Sequence, residues 1–220
     1  PTAYSADHQQ VLITDGYTVG DNVLFLLQGK KKTILYGKPL EKRKKGEQVP
    51  LNGLGATAFT SSGLGVLVTS SVFEDTYSLG YIALNQPGKL EPVNITGITH
   101  TGTGEMTGLD HLYGDRYSVS YNIDGCSIVY DGKFDEATLT MKLKHVVIGE
   151  LPLDGGELEH LHYNKSANVF TASFSTAVSP SQIYSIEKKK RNFIIQHTNE
   201  KVLGIPTEHL SKGEDASFIS

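Results

Sequence analysis

The sequence predicts an all-β fold, built as four four-stranded antiparallel sheets that are the blades of a β-propeller. Three observations carry this reading. A pattern recurs at about 50–55 residues, the period expected of blades. Each copy divides into four short segments of alternating apolar and polar residues, broken by Gly, Asp and Asn. No stretch sustains a helical period, so the only helical turn expected lies near Thr207–Leu210.

The copies are recognisable in order. Tyr4-Ser5-Ala6-Asp7 leads into Val11-Leu12-Ile13-Thr14, and Phe59-Thr60-Ser61-Ser62 leads into Val66-Leu67-Val68-Thr69 at the same offset. A third copy opens Leu109-Asp110-His111-Leu112 and continues into Tyr117-Ser118-Val119-Ser120. A fourth opens Leu158-Glu159-His160-Leu161 and continues into Val169-Phe170-Thr171-Ala172. The blades are expected near 1–50, 51–100, 101–152 and 153–199. In the second, strands are expected at 57–61, 65–72, 77–84 and 90–93, with breaks at Gly63, Asp75 and Gln86-Pro87-Gly88. In the fourth they are expected at 157–163, 168–175, 181–187 and 192–197, with Ser179-Pro180 as the turn between the middle two. Tyr81-Ile82-Ala83-Leu84 and Ile183-Tyr184-Ser185-Ile186 then fall on equivalent third strands, where β-branched and aromatic residues pack well. Lys38–Pro50 is a charged insertion and reads as a solvated loop. Residues 200–220 lead out of the repeat and end at a strand-like Ala216-Ser217-Phe218-Ile219.

Composition narrows the functions. Hydrophobic residues are 38% and charged residues 20% of the chain, which fits a globular protein rather than a disordered one. A net charge of −4 gives no positive field to hold a phosphate backbone, so nucleic acid is not an expected partner. The single cysteine, Cys126, excludes an internal disulfide and reads as a small packed residue at a strand start. No window of 18 apolar residues is present, so no membrane association is expected, and the default compartment is the cytoplasm. A first residue of Pro rather than Met suggests a processed or excised piece. Asn94-Ile95-Thr96 and Asn164-Lys165-Ser166 match the glycosylation triplet, a pattern common by chance.

No motif supplies complete catalytic machinery. The sequence lacks G-x-S-x-G, the turn that exposes a hydrolase serine. Ser185-Ile186-Glu187-Lys188 matches S-x-x-K but sits on an expected strand rather than at a helix start. Gly53-Leu54-Gly55 and Gly102-Thr103-Gly104 precede no helix and read as turns between blades, not phosphate cradles. His160 and His162 lie two apart, hence on one face, and His111 is the repeat equivalent of His160. Imidazoles on the first strand of each blade could ligate a metal from the channel that those strands line. The stronger reading is that Asp110-His111 and Glu159-His160 are polar channel or inter-blade contacts reproduced by the repeat. Glu105, Asp110, His111, Glu159 and His160 are the candidate substrate-binding residues, since carboxylates at a channel mouth can hold an amino group; solvated strand-edge carboxylates are the commoner case. No metal site and no cofactor is expected.

The C-terminal third resembles the end of the propeller in the prolyl oligopeptidase family of serine peptidases, in its acylaminoacyl peptidase and dipeptidyl aminopeptidase branch. The resemblance is carried by Phe174-Ser175-Thr176-Ala177-Val178-Ser179-Pro180-Ser181-Gln182-Ile183-Tyr184, by His197-Thr198-Asn199-Glu200, and by Gly213-Glu214-Asp215-Ala216-Ser217-Phe218-Ile219-Ser220. It spans residues 154–220, while the earlier blades agree in pattern rather than motif. It implies a propeller of seven or eight blades that covers a downstream α/β-hydrolase domain, admits short peptides and selects among them. It implies no catalytic residue here, because nothing in the chain matches the Ser-Asp-His triad. Two functions are therefore expected to compete: the non-catalytic blade portion of a serine peptidase, or a free-standing module binding a protein or glycan. A half-propeller with open blade edges is expected to aggregate or pair with itself, making a homo-oligomer a possible state.

Overall fold

The computed structural model describes residues 3–18, 20–187 and 193–213. They form four sheets. The first contains β1 (Ala3–Tyr4), β2 (Gln10–Gly16), β3 (Asn22–Gln28) and β4 (Lys31–Tyr36), and the second β5 (Leu54–Phe59), β6 (Gly65–Ser70), β7 (Ser78–Ala83) and β8 (Glu91–Pro92). The third contains β9 (Asn94–Thr96), β10 (Gly104–Tyr113), β11 (Arg116–Ile123), β12 (Cys126–Asp135) and β13 (Thr140–Ile148). The fourth contains β14 (Gly156–Asn164), β15 (Val169–Thr176), β16 (Ser179–Glu187) and β17 (Phe193–Gln196). The first, second and fourth are simple meanders in chain order. In the third, the order is β10-β11-β12-β13-β9, and β9 runs parallel to β13 with Met141 opposite Ile95.

The all-β reading therefore holds, and the third sheet carries a strand that the repeat did not announce. β9 is Asn94-Ile95-Thr96 itself, so one glycosylation-like triplet serves as an edge strand. The other makes a side-chain turn, in which the Asn164 Oδ1 accepts hydrogen bonds from the Ser166 hydroxyl at 2.8 Å and the Ala167 amide at 3.0 Å.

By compactness the chain separates into two units. One comprises Pro1–Thr99, Glu105–Tyr121 and Asp131–His145; the other comprises His100–Gly104, Asn122–Tyr130 and Val146–Ser220. In the first unit, the continuous apolar runs Val23-Leu24-Phe25 and Val66-Leu67-Val68 are buried on both faces. That is why they lack alternation. Leu12, Leu24 and Leu35 of the first sheet pack against Leu54, Phe59, Val66, Val68 and Ile82 of the second. Burial of each such side chain contributes about 1.5–3 kcal/mol before chain entropy is counted. In the second unit, Phe170, Ala172, Phe174 and Ile186 form the buried face of the fourth sheet.

Three local expectations need correction. The turn between β15 and β16 is Ala177-Val178, with Thr176 paired to Ser179. Ser179-Pro180 opens β16 instead, and proline is tolerated at the start of a strand. Gly53-Leu54-Gly55 is not a turn: Gly55 lies within β5 at a register shift, where an added Cβ would come 2.4 Å from the Thr69 hydroxyl. Gly104 likewise opens β10, with space for a Cβ closed by the Asn122 carbonyl at 1.8 Å. The charged insertion is not merely solvated. It contains a short 3-10 turn at Leu40–Lys42, an Arg43–Asp21 ion pair and a Lys38–Glu47 pair at 2.5 Å. The expected turn near Thr207–Leu210 is a 3-10 turn at Thr207–His209. The strand expected at Ala216–Ile219 lies outside the described residues.

Candidate functional site

The two L-[DE]-H-L tetrads fall on the first strands of the third and fourth sheets, β10 and β14. In both, the alternation of burial breaks, because the acid and the following histidine are exposed in succession. In β14 the cause is a bulge: Leu158 faces Phe174 and His160 faces Ser173, so Glu159 has no partner residue in the ladder. Its carboxylate accepts hydrogen bonds from the Ser173 hydroxyl at 2.9 Å and the Ser181 hydroxyl at 2.8 Å. These bonds hold its pKa below the ordinary glutamate value, the Ser181 bond contributing most. Asp110 is shifted the other way. Crowding by its surroundings removes enough water to raise its carboxyl, against a weaker lowering by Ser118.

Opposite shifts give opposite pH dependences. Asp110 keeps its proton in the folded chain at pH values where the unfolded chain has released it, so its contribution favours folding at low pH and is lost as pH rises through its folded value. Glu159 favours folding above its unfolded value, and that contribution is lost as pH falls through its lower, folded value. A carbon-detected NMR titration should find Asp110 above and Glu159 below their ordinary values. Replacing Ser181 with alanine should move Glu159 upward and leave Asp110 unchanged.

Of the remaining candidates, His111 and Glu105 have structural partners. His111 lies with its Nε2 2.7 Å from the Gly114 carbonyl and its ring 4.9 Å from that of Tyr117. Glu105 accepts the Tyr77 amide at 2.9 Å. His160 and His162 share the exposed face of β14, as their spacing implied. Glu105, Asp110 and His111 belong to the first unit, and Glu159 and His160 to the second. Among the described residues no group of three or more His, Cys, Asp or Glu side chains is placed to hold a metal ion. No described helix is long and apolar enough to cross a membrane.

Two further constellations escaped the sequence. Ser185, part of the S-x-x-K match, sits on β16 with its hydroxyl 2.8 Å from the His197 Nε2. Among the described residues no carboxylate hydrogen bonds to His197, so the pair lacks the third group that orients a catalytic imidazole. The second is Glu136, in the turn between β12 and β13. It accepts hydrogen bonds from the hydroxyls of Tyr81 at 2.8 Å and Thr60 at 3.0 Å on Oε1, and of Ser62 at 2.6 Å on Oε2. Nothing in Asp135-Glu136-Ala137 distinguishes it from ordinary turn chemistry, and its partners lie more than fifty residues away.

The first two of the three motif pieces behind the resemblance are joined by one buried side chain. Gln182, 2% exposed, accepts hydrogen bonds on its Oε1 from the Thr198 hydroxyl at 2.8 Å and the Glu200 amide at 2.9 Å. Its amide nitrogen donates to the Glu200 carbonyl at 2.8 Å. The Ser-Pro-Ser-Gln-Ile-Tyr strand thus clamps the Thr198-Asn199-Glu200 segment that leaves the last sheet.

Successive antiparallel meanders, four-stranded except for the parallel β9 added to the third, have the make-up of β-propeller blades. The chain is structurally similar to the propeller part of prolyl oligopeptidases. A prolyl endopeptidase structure matches with a TM-score of 0.65 at 12% identity, covering 93% of this chain and 27% of that one. Prolyl oligopeptidase B from Galerina marginata matches in its apo form with a TM-score of 0.61 at 13% identity and in complex with a 35mer hydrolysis and macrocyclization substrate with 0.62 at 11%. Both alignments cover 93% of this chain and 27% of the enzyme, so the chain spans about a quarter of the length of these structures. No family model and no curated protein sequence matches the chain.

Proposed function

We propose that this chain is the non-catalytic blade portion of a prolyl oligopeptidase-type serine peptidase, and that it restricts entry to short peptides for an α/β-hydrolase domain outside these residues. The observation that carries the reading is the match of nearly the whole chain to a quarter of enzymes in that class. The chemistry agrees: the Ser185–His197 pair has no third member, and no triad is assembled among the described residues. In this reading the four sheets are successive blades, residues 200–220 form the passage to the hydrolase, and the clamp from Gln182 fixes where that passage begins. The exposed Asp110-His111 and Glu159-His160 pairs are the side chains available for peptide contacts, and the cytoplasm is the proposed compartment.

The natural protein that carries this chain should hydrolyse short peptides and leave folded proteins intact when both are offered at equal concentration. Absence of peptide hydrolysis would sink the proposal, whereas equal cleavage of folded proteins would sink the size restriction alone.

A further inference from the structure

Glu136 has chemistry that the peptidase reading leaves unused. Its hydroxyl donors are Tyr81 on β7 and Thr60 and Ser62 in the β5–β6 turn, whereas Glu136 itself stands in the turn of the β12–β13 hairpin. It forms no ion pair; those among the described residues join other side chains. Beside it opens a groove of about 590 Å³, within the range of small-ligand sites. Leu64, Ala83, Leu84 and Ala137 supply apolar walls, and Asn85 also lines it. Leu64 is 68% exposed, so its side chain is available to cover a ligand.

We infer that this groove binds a lysine side chain presented by an extended, apolar partner segment, with the ammonium on Glu136 and the aliphatic stem along Leu64 and Leu84. The choice of cation follows from lone pairs. A carboxylate offers about four acceptor positions. Oε1 already takes two donors and Oε2 one, which leaves no parallel pair of sites for the two-pronged guanidinium of arginine. A compact ammonium needs a single direction and carries a long apolar stem, which suits the walls. The brace persists at neutral pH: burial, aided by the bond to Glu136, pushes the Tyr81 phenol up to about 12, so it remains a donor. This inference does not rest on the peptidase reading.

The test is a titration of the isotope-labelled 220-residue chain with acetyl-Leu-Lys-Leu-amide, monitored by backbone amide shifts. Saturable shifts are expected at Leu64, Asn85 and Ala137. Affinity should fall at least about tenfold when the lysine is acetylated, and by a similar factor in Glu136→Gln, with the arginine peptide several-fold weaker. Leu64→Ser, at an exposed position, should weaken binding while leaving the thermal melt unchanged, which separates loss of the site from loss of the fold. No saturable shift, equal binding of the acetylated peptide, or equal binding of the arginine peptide would each overturn the assignment.

Discussion

An Asp131→Ala variant should lose about 3–5 kcal/mol of unfolding free energy, because it strands a buried guanidinium. Arg116 and Asp131 form a two-pronged pair on neighbouring strands β11 and β12, with Nε to Oδ1 at 3.0 Å and Nη2 to Oδ2 at 2.5 Å. Their side chains are 8% and 2% exposed, so water cannot replace the missing carboxylate. The phenol of Tyr113 accepts from the guanidinium, and its ring centroid lies 4.8 Å away. Urea unfolding should show the loss as a lower midpoint with an unchanged slope. For a chain of this size the melting temperature should drop by something on the order of 10 °C. A double variant, Arg116→Met with Asp131→Leu, should recover most of the loss, since an apolar pair of similar volume removes both desolvation penalties. A loss below about 1 kcal/mol for Asp131→Ala would mean that the pair is solvated.

Tyr117→Ala should cost a similar 3–5 kcal/mol for a different reason, the cavity left by a fully buried aromatic ring. Tyr117 is 0% exposed and packs edge-on to Phe134, with ring centroids 6.4 Å apart. Its hydroxyl donates to the Phe59 carbonyl at 3.1 Å, joining the third sheet to the second within the first unit. Burial raises this phenol well above its ordinary value, so it stays a donor. Tyr117→Phe isolates that one bond and should cost about 1 kcal/mol. If phenylalanine cost as much as alanine, the hydrogen bond rather than the packing would dominate.

Much of the fold was legible because blades impose a local code. The tetrads before Tyr117 and Val169 lie on first strands, those before Val11 and Val66 start at the last residue of one and run into the turn, and Gly and Asp breaks separate the quartets. The structure places β10 and β14 where the tetrads predicted. What stayed hidden depends on distant partners. β9 has only three residues, and its pairing with β13, some 45 residues downstream, leaves no periodic trace. The bulge at Glu159 leaves no mark in Leu158-Glu159-His160-Leu161, because it is set by the register with β15. The Glu136 brace joins the β12–β13 turn to hydroxyls of β7 and the β5–β6 turn, which no single-chain pattern encodes. Of the three pieces that carry the resemblance, the first two are physically coupled, through Gln182 and the Thr198–Glu200 segment; residues 214–220 of the third lie outside the described residues.

The division of labour at the centre of this account is tested most directly by active-site labelling. The natural protein carrying this chain is treated with a serine-directed fluorophosphonate and the adduct is located by mass spectrometry. The label should sit on a serine outside residues 1–220, its attachment should abolish peptide hydrolysis, and the isolated chain should take up none. An adduct on Ser185, or on any serine within the blades, would contradict the account.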